Sequence, residues 1–273
     1  MTLGIGRAII ASAMLVGTIP VAAQTPQGRG GRGGPPPTPR ASAPVDFTGN
    51  WVSVVSEDWR WRMITPPKGD YANIPLNAAA RKIADAWDPA RDETAGEQCK
   101  GYAAPAIMRE PTRLRISWVD DYTLKIETDA GMQTRLLQFA RPENPPSTVP
   151  APAAAGQRSW QGVSVARWEP PPQGGRGLSL GLAPRAGTQG RSLEVVTNQI
   201  RPGYLRKNGV PFSENASVTE FFDLNTLPNG DQWISLTTKI DDPVYFTRPL
   251  VMTTDFKKLP DATGWNPTPC SAR

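Results

Sequence analysis

Any chemistry in this chain proceeds without histidine, since none occurs among its 273 residues. That excludes a Ser-His-Asp triad, a Cys-His pair and histidine-based zinc sites. Two cysteines, Cys99 and Cys270, lie far apart and form no C-x-x-C. Thiol-redox catalysis and an all-cysteine structural zinc site are thereby excluded too. Carboxylates remain. Glu57-Asp58, Asp120-Asp121 and Asp241-Asp242 are adjacent pairs, and adjacent residues on a strand point to opposite faces, which keeps such pairs from acting jointly. Asp120-Asp121 and Asp241-Asp242-Pro243 read as turns. Glu169, beside Trp168, and Glu220, between Val218 and Phe222, are the acids expected to face inward. Burial there would raise a carboxyl pKa and suit it to acid–base work; a salt bridge or a solvated rim is the plainer reading of both. Nothing in the chain calls for a cofactor or a metal.

Aromatic residues are the second resource. The stretch FTGNWVSVVSEDWRWRM (47–63) holds three of the nine tryptophans. If it is extended, Trp59, Trp61 and Met63 face one way and Arg60 and Arg62 the other. One side would line an apolar cavity or core, and the other would meet water or an anion. Aromatic walls carrying a few polar groups are what small-molecule pockets use. Trp51, Trp61, Trp118, Trp168 and Tyr245 are the wall candidates. Arg60 or Arg248 would orient a polar or anionic end of the ligand. Ordinary core packing is the alternative for any one of these tryptophans.

Strands must position these groups. TRLRISWV (112–119) alternates, with Leu114, Ile116 and Trp118 on one face. Asp120-Asp121 turns the chain into YTLKIET, and Ala130-Gly131 turns it again into QTRLLQFA. Turns this short join antiparallel strands. Further strands are expected at 160–168, 192–200, 216–224, 232–240 and 247–256, with Asn229-Gly230 as a hairpin turn. One helix is expected, Asn77 capping 78–87 with Ile83 and Trp87 four apart on one face. The fold class is therefore all-β: an antiparallel meander barrel with one short helix and long Pro/Gly-rich loops, a two-sheet sandwich being the alternative.

The ends of the chain bear on location. Arg7 followed by the apolar run Ala8–Val16 and the small residues Val21-Ala22-Ala23 reads as a signal peptide over 1–23. The apolar run is too short to span a bilayer. Residues 24–44 form a Gly/Pro/Arg-rich tether with almost nothing apolar to offset chain entropy. One β domain follows over 45–273, with a low-complexity insert at about 170–190. The chain carries 30 Lys and Arg against 25 Asp and Glu; four of the arginines precede residue 45, leaving 26 against 25. So nearly neutral a domain has no global field for nucleic acid, and the GRGGRGG run sits in the tether. Export to an oxidising compartment and a total of two cysteines point to a Cys99–Cys270 disulfide.

Two resemblances add to this reading. Phe47-x-Gly49-x-Trp51 resembles the G-x-W start of lipocalin and calycin barrels, which implies a tryptophan closing the barrel floor beneath an arginine, a role Arg248 would take. A longer ordered set is similar to a large group of exported bacterial proteins of unassigned function. It comprises Trp160, Gly162, Ser164, Trp168 and Glu169, then Asn208–Ser213, Val218–Phe222 and Asp242–Pro249. That group implies no activity, and histidine-dependent chemistry cannot carry over to a chain without histidine.

The function expected is a periplasmic or secreted binding module for a small apolar or aromatic molecule, with no nucleic-acid partner and no stable membrane span. An enzyme built on Glu169 or Glu220 is the first alternative, and a structural domain with a protein partner the second. Cleavage after Ala23 predicts a mature chain starting at Gln24. N-terminal sequencing of the exported fraction checks this; an intact Met1 recovered from the cytoplasm would contradict it.

Overall fold

The computed structural model describes residue 1 and residues 36–142, 158–169 and 192–273. The expected signal peptide, most of the tether and the inserts at 143–157 and 170–191 lie outside the described residues. Strand β1 (Gly49–Val54) is followed by helices α1 (Trp59–Arg62), α2 (Ala78–Asp85) and α3 (Pro89–Thr94), a 3-10 turn (Gln98–Tyr102) and α4 (Ala104–Ile107). Then come β2 (Arg113–Asp120), β3 (Thr123–Thr128), β4 (Thr134–Phe139), β5 (Val163–Trp168) and β6 (Leu193–Asn198). The chain ends with β7 (Gly203–Arg206), β8 (Val210–Phe212), β9 (Ser217–Thr226), β10 (Gln232–Asp241) and β11 (Leu250–Leu259).

Nine of these strands close into a barrel in the order β1-β11-β10-β9-β6-β5-β4-β3-β2. A ring of alternating directions cannot close on an odd number of strands. One neighbouring pair must run parallel, and it is β4 with β5, held at three positions: Leu137↔Ser164, Gln138↔Val165 and Phe139↔Ala166. The remaining pairs around the ring are antiparallel, as the short turns predict. The expected all-β barrel is present, with this one parallel seam.

Strand alternation fills the interior. On β10, Ile234, Leu236, Thr238 and Ile240 are buried while Ser235, Thr237 and Lys239 are not. Toward one end, Trp51, Leu114, Ile116, Leu124, Ile126, Leu137, Phe222 and Phe256 belong to one apolar cluster. Ile200, Phe212, Val218, Ile240 and Leu250 belong to a second, which includes residues of the cap. Between the two clusters lies an inward-facing polar belt, Arg135, Ser164, Thr197, Glu220 and Thr238, all buried.

The cap is made of the long β1–β2 insertion, α1 to α4, and of the β7–β8 hairpin inserted between β6 and β9. Asn77 caps α2 as expected, accepting from the Ala80 amide at 2.9 Å. The buried face differs, however. Ala80 and Ala84 are fully covered while Ile83 is exposed, because only small residues allow the helix to lie close against β8. Trp87 falls beyond the helix and packs edge-on against Tyr204. At Gly209, φ is +86° and a Cβ would come within 2.2 Å of Trp87; the hairpin turn there requires glycine. The final residues read as tether are not loose: Arg40 donates its amide to the Asp121 carbonyl, and Pro39 accepts from the Trp168 indole at 2.9 Å.

Cys99 and Cys270 form the expected disulfide, with Cα atoms 5.1 Å apart and a sequence separation of 171. It ties the 3-10 turn of the cap to the C-terminal tail. Replacing both cysteines by serine is expected to cost about 2–5 kcal/mol of stability. Urea unfolding checks this: the parent treated with reductant should fall to the variant's midpoint, and the variant should not respond to reductant. Equal midpoints for parent and variant would remove the bond from any role in stability.

Candidate functional site

The residues expected to build a site are distributed over three places. Trp51, Trp118 and Trp168 belong to or pack against the first apolar cluster. Trp168 lies parallel to Phe47 at 6.1 Å between centroids and touches Phe139 at 5.5 Å, which in turn meets Trp118 at 5.6 Å. These rings are packing partners of one another. Trp51 is fully buried and donates its indole N–H to the Phe47 carbonyl at 3.0 Å. The cation above it is Lys258, whose Nζ lies 5.4 Å from the ring centroid. Arg248 is exposed on the loop between β10 and β11, and Tyr245 packs at the edge of the second cluster.

The two acid candidates also separate. Glu169 is half-buried just past the end of β5. Glu220 is fully buried, and both of its oxygens accept from Arg135, at 2.9 and 2.5 Å. Thr197 Oγ1 lies 3.4 Å from the same guanidinium and 2.7 Å from Ser164 Oγ. Glu220 is thus held bidentately as the ion-pair partner of a buried arginine.

The Trp-Arg stripe is not extended. Asp58 adopts a left-handed conformation, φ 53° and ψ 25°, which aspartate tolerates better than most residues. Its carbonyl then accepts from the Trp61 and Arg62 amides, winding 59–62 into the single turn of α1. A step of about 100° per residue breaks the alternation expected of a strand. Arg62 is the residue that turns inward, while Trp59 and Met63 are exposed. Arg62 is fully engaged: Nε donates to the Arg109 carbonyl at 3.0 Å, Nη1 to Glu57 at 2.7 Å and Nη2 to Ser53 Oγ at 2.9 Å. Arg109 in turn donates to Asp58 at 2.6 Å and to the Thr253 carbonyl at 2.6 Å. The Glu57-Asp58 pair, off the strand, thus converges on two arginines.

This network forms one wall of a cleft between the cap and β11. Trp61, Arg62, Thr65 and Pro66 line it from α1 and the following loop, Arg109 and Glu110 from the end of α4, Leu205, Arg206 and Lys207 from β7 and its turn, with Ile74 and Met252 completing it. The cleft has room for about 50 Å³. Its lining contains four cations and one carboxylate. Lys207 faces Glu110 at 3.3 Å. Burial pushes the Glu110 carboxyl above its usual range against the pull of Lys207 and Arg62.

Arg206 is the cation left over. It donates to the Ala72 carbonyl at 3.1 Å and makes no ion pair among the described residues. Its guanidinium lies 5.5 Å from the Trp61 ring centroid, and Arg60 stands at the same distance. Burial, then repulsion from Arg109, lowers the Arg206 pKa against the pull of Asp58 and Asp70. Arg62 is lowered in the same order, by burial and then by Arg109. Arginine keeps its charge regardless, so Arg206 is a cation without an ion-pair partner among the described residues. Of the expected ligand-binding residues, Trp61 lines this cleft and Arg60 flanks it. Arg109, Glu110, Arg206 and Lys207 were not singled out from the sequence; the basic dipeptide Arg206-Lys207 ahead of Asn208-Gly209 was the only local signal. Among the described residues no cluster of three acidic or cysteine side chains is arranged to hold a metal ion.

No family model, no curated protein and no solved structure matches this chain.

The Arg135–Glu220 pair makes a separable prediction. Glu220→Gln leaves a buried guanidinium without its counter-charge and is expected to cost roughly 3–5 kcal/mol. The double change Arg135→Met with Glu220→Leu removes both charges and should recover most of that loss. Chemical denaturation of the two variants checks this. A single variant as stable as the parent would show that the pair is not what occupies the barrel centre.

Proposed function

We propose that the protein is an exported, non-catalytic binding module, and that its ligand is a small anion carrying a flat apolar or aromatic body. The observation that carries this reading is Arg206, a partly buried guanidinium with no ion pair among the described residues, beside Trp61 in a cleft whose other cations are paired, Arg62 with Glu57, Arg109 with Asp58 and Lys207 with Glu110. An anion entering there would offset the burial and mutual repulsion that disfavour the Arg206 and Arg62 charges. The flat body would lie against Trp61.

The cleft rather than the barrel interior is the site in this reading, because inward-facing positions of the barrel are occupied by packed apolar side chains and the Arg135–Glu220 belt. Room for about 50 Å³ is well below the roughly 300–1,000 Å³ of a pocket that encloses a drug-sized molecule. It suits the charged end of a ligand whose remainder stays near the surface. Export is supported by the signal-like N-terminal sequence and by the disulfide.

Thermal unfolding in inorganic phosphate and in benzoate, against chloride at equal ionic strength, tests the reading. A saturable rise in Tm is expected, reaching about 2.7 kcal/mol of added stability at a hundredfold excess over Kd. Arg206→Ala should abolish the rise with little change in chloride. A rise that persists in Arg206→Ala, or no rise with either anion, would sink the proposal.

A further inference from the structure

The cleft does not use all of the segment that forms it. Trp59, Met63 and Ile64 alternate in sequence with cleft residues, yet they are 63%, 59% and 67% exposed. Trp59 and Met63 are four apart and share one side of α1. Arg60 lies between them with its side chain 68% exposed. Three large apolar side chains left in water over six residues, next to a cationic cleft, mark an interaction surface.

We propose that this surface docks the protein on an anionic lipid bilayer, with Trp59, Met63 and Ile64 entering the interface and the cleft receiving a phosphate headgroup. The inference rests on the reading of the cleft as an anion site. Its size favours lipid over a protein partner or a second copy. Each of these side chains could bury at most roughly 200 Å², and three fall short of the roughly 800 Å² per partner of a stable protein interface. Shallow contact with lipid needs only a few such groups when cations stand beside them. Tryptophan settles at headgroup level, where its ring is in the apolar boundary and its N–H meets water. Arginine buries its stem and leaves its guanidinium at the phosphates. Arg60, in contact with Asp70 at 3.4 Å but with its side chain 68% exposed, is placed to do this, and Arg206, in the cleft behind, makes no ion pair among the described residues. The four-residue α1 is too short to lie along a membrane as an amphipathic helix, so the contact is a tip. Among the described residues no helix is long and apolar enough to cross a membrane; attachment of this kind needs none.

Co-sedimentation of the mature chain with vesicles of phosphatidylcholine alone, and of phosphatidylcholine mixed with phosphatidylglycerol, provides the test. Binding to the mixed vesicles and not to the neutral ones is expected. Trp59→Ser/Met63→Ser/Ile64→Ser, all at exposed positions, should weaken binding by at least about tenfold, with an unchanged Tm showing that the fold is kept. Arg206→Ala should weaken it by about fivefold, the share of one cation near an anionic surface. Failure to bind mixed vesicles, or equal binding by the triple variant, overturns the docking; Arg206-dependent stabilisation by phosphate in the same samples then leaves the anion reading standing. Vesicle binding that needs the three apolar residues but not Arg206, in protein that phosphate does not stabilise, overturns the headgroup role and the anion reading together.

Discussion

Closing nine strands into a ring forces one parallel contact, and the arrangement of the barrel interior follows from where that contact falls. The β4–β5 seam pairs three positions, whereas β9 and β10 pair ten. Parallel pairing is also slightly weaker per residue. The polar belt crosses this place. Arg135 stands on β4, Ser164 on β5, Thr197 on β6 and Glu220 on β9, joined through one guanidinium and two hydroxyls. A buried ion pair adds little net stability over apolar residues of similar size. It does penalise the wrong register. A slip of one residue at the seam would turn Arg135 outward and leave Glu220 charged and unmatched among apolar side chains.

A barrel whose centre is occupied in this way leaves its cleft at the edge. Two insertions supply the edge: the one between β1 and β2, which includes α1 and α4, and the β7–β8 hairpin between β6 and β9. Neither makes a cleft alone. The wall of Arg62, Arg109 and Glu110 comes from the first, and Arg206 with Lys207 from the second. The disulfide anchors the first insertion to the C-terminal tail, and Lys207 lies over the Tyr102 ring at 4.4 Å. Loops carried on a rigid sheet are where binding groups are free to vary, and the charged residues are concentrated in them here.

How far the sequence shows this depends on the range of the interaction. Alternation in TRLRISWV and QWISLTTKI marks strands because one face of each is buried, and burial leaves its period in the residues themselves. The disulfide was legible by elimination among two cysteines. The α2 cap was legible at Asn77, but its buried face was not: Ile83 and Trp87 are the larger apolar residues, and tight packing on β8 selected Ala80 and Ala84. The seam was not legible, since the odd strand count is a property of the closed ring. Trp-Arg-Trp-Arg fits a strand as well as a helical turn, and the choice is made by Asp58 in a left-handed conformation and by Arg109, fifty-one residues away. The cleft residues come from five separate stretches, so no local spacing announces them.

The same side chain plays opposite parts in the two polar regions, and the difference is one of stoichiometry. In the barrel one guanidinium meets one carboxylate bidentately, and the two charges balance. In the cleft Glu57 takes Arg62, Asp58 takes Arg109, Glu110 takes Lys207, and Arg206 is left with a single carbonyl and the face of Trp61. The network is thus closed, among the described residues, except for Arg206, and the proposed anion is the group that would complete it. The exposed Trp59, Met63 and Ile64 lie on the same short segment as the cleft residues Trp61 and Arg62. That sets the WRWRM stretch apart from the tryptophans of the core: its arginines and tryptophans are divided by the turn of α1 between holding the cleft and meeting what comes to it.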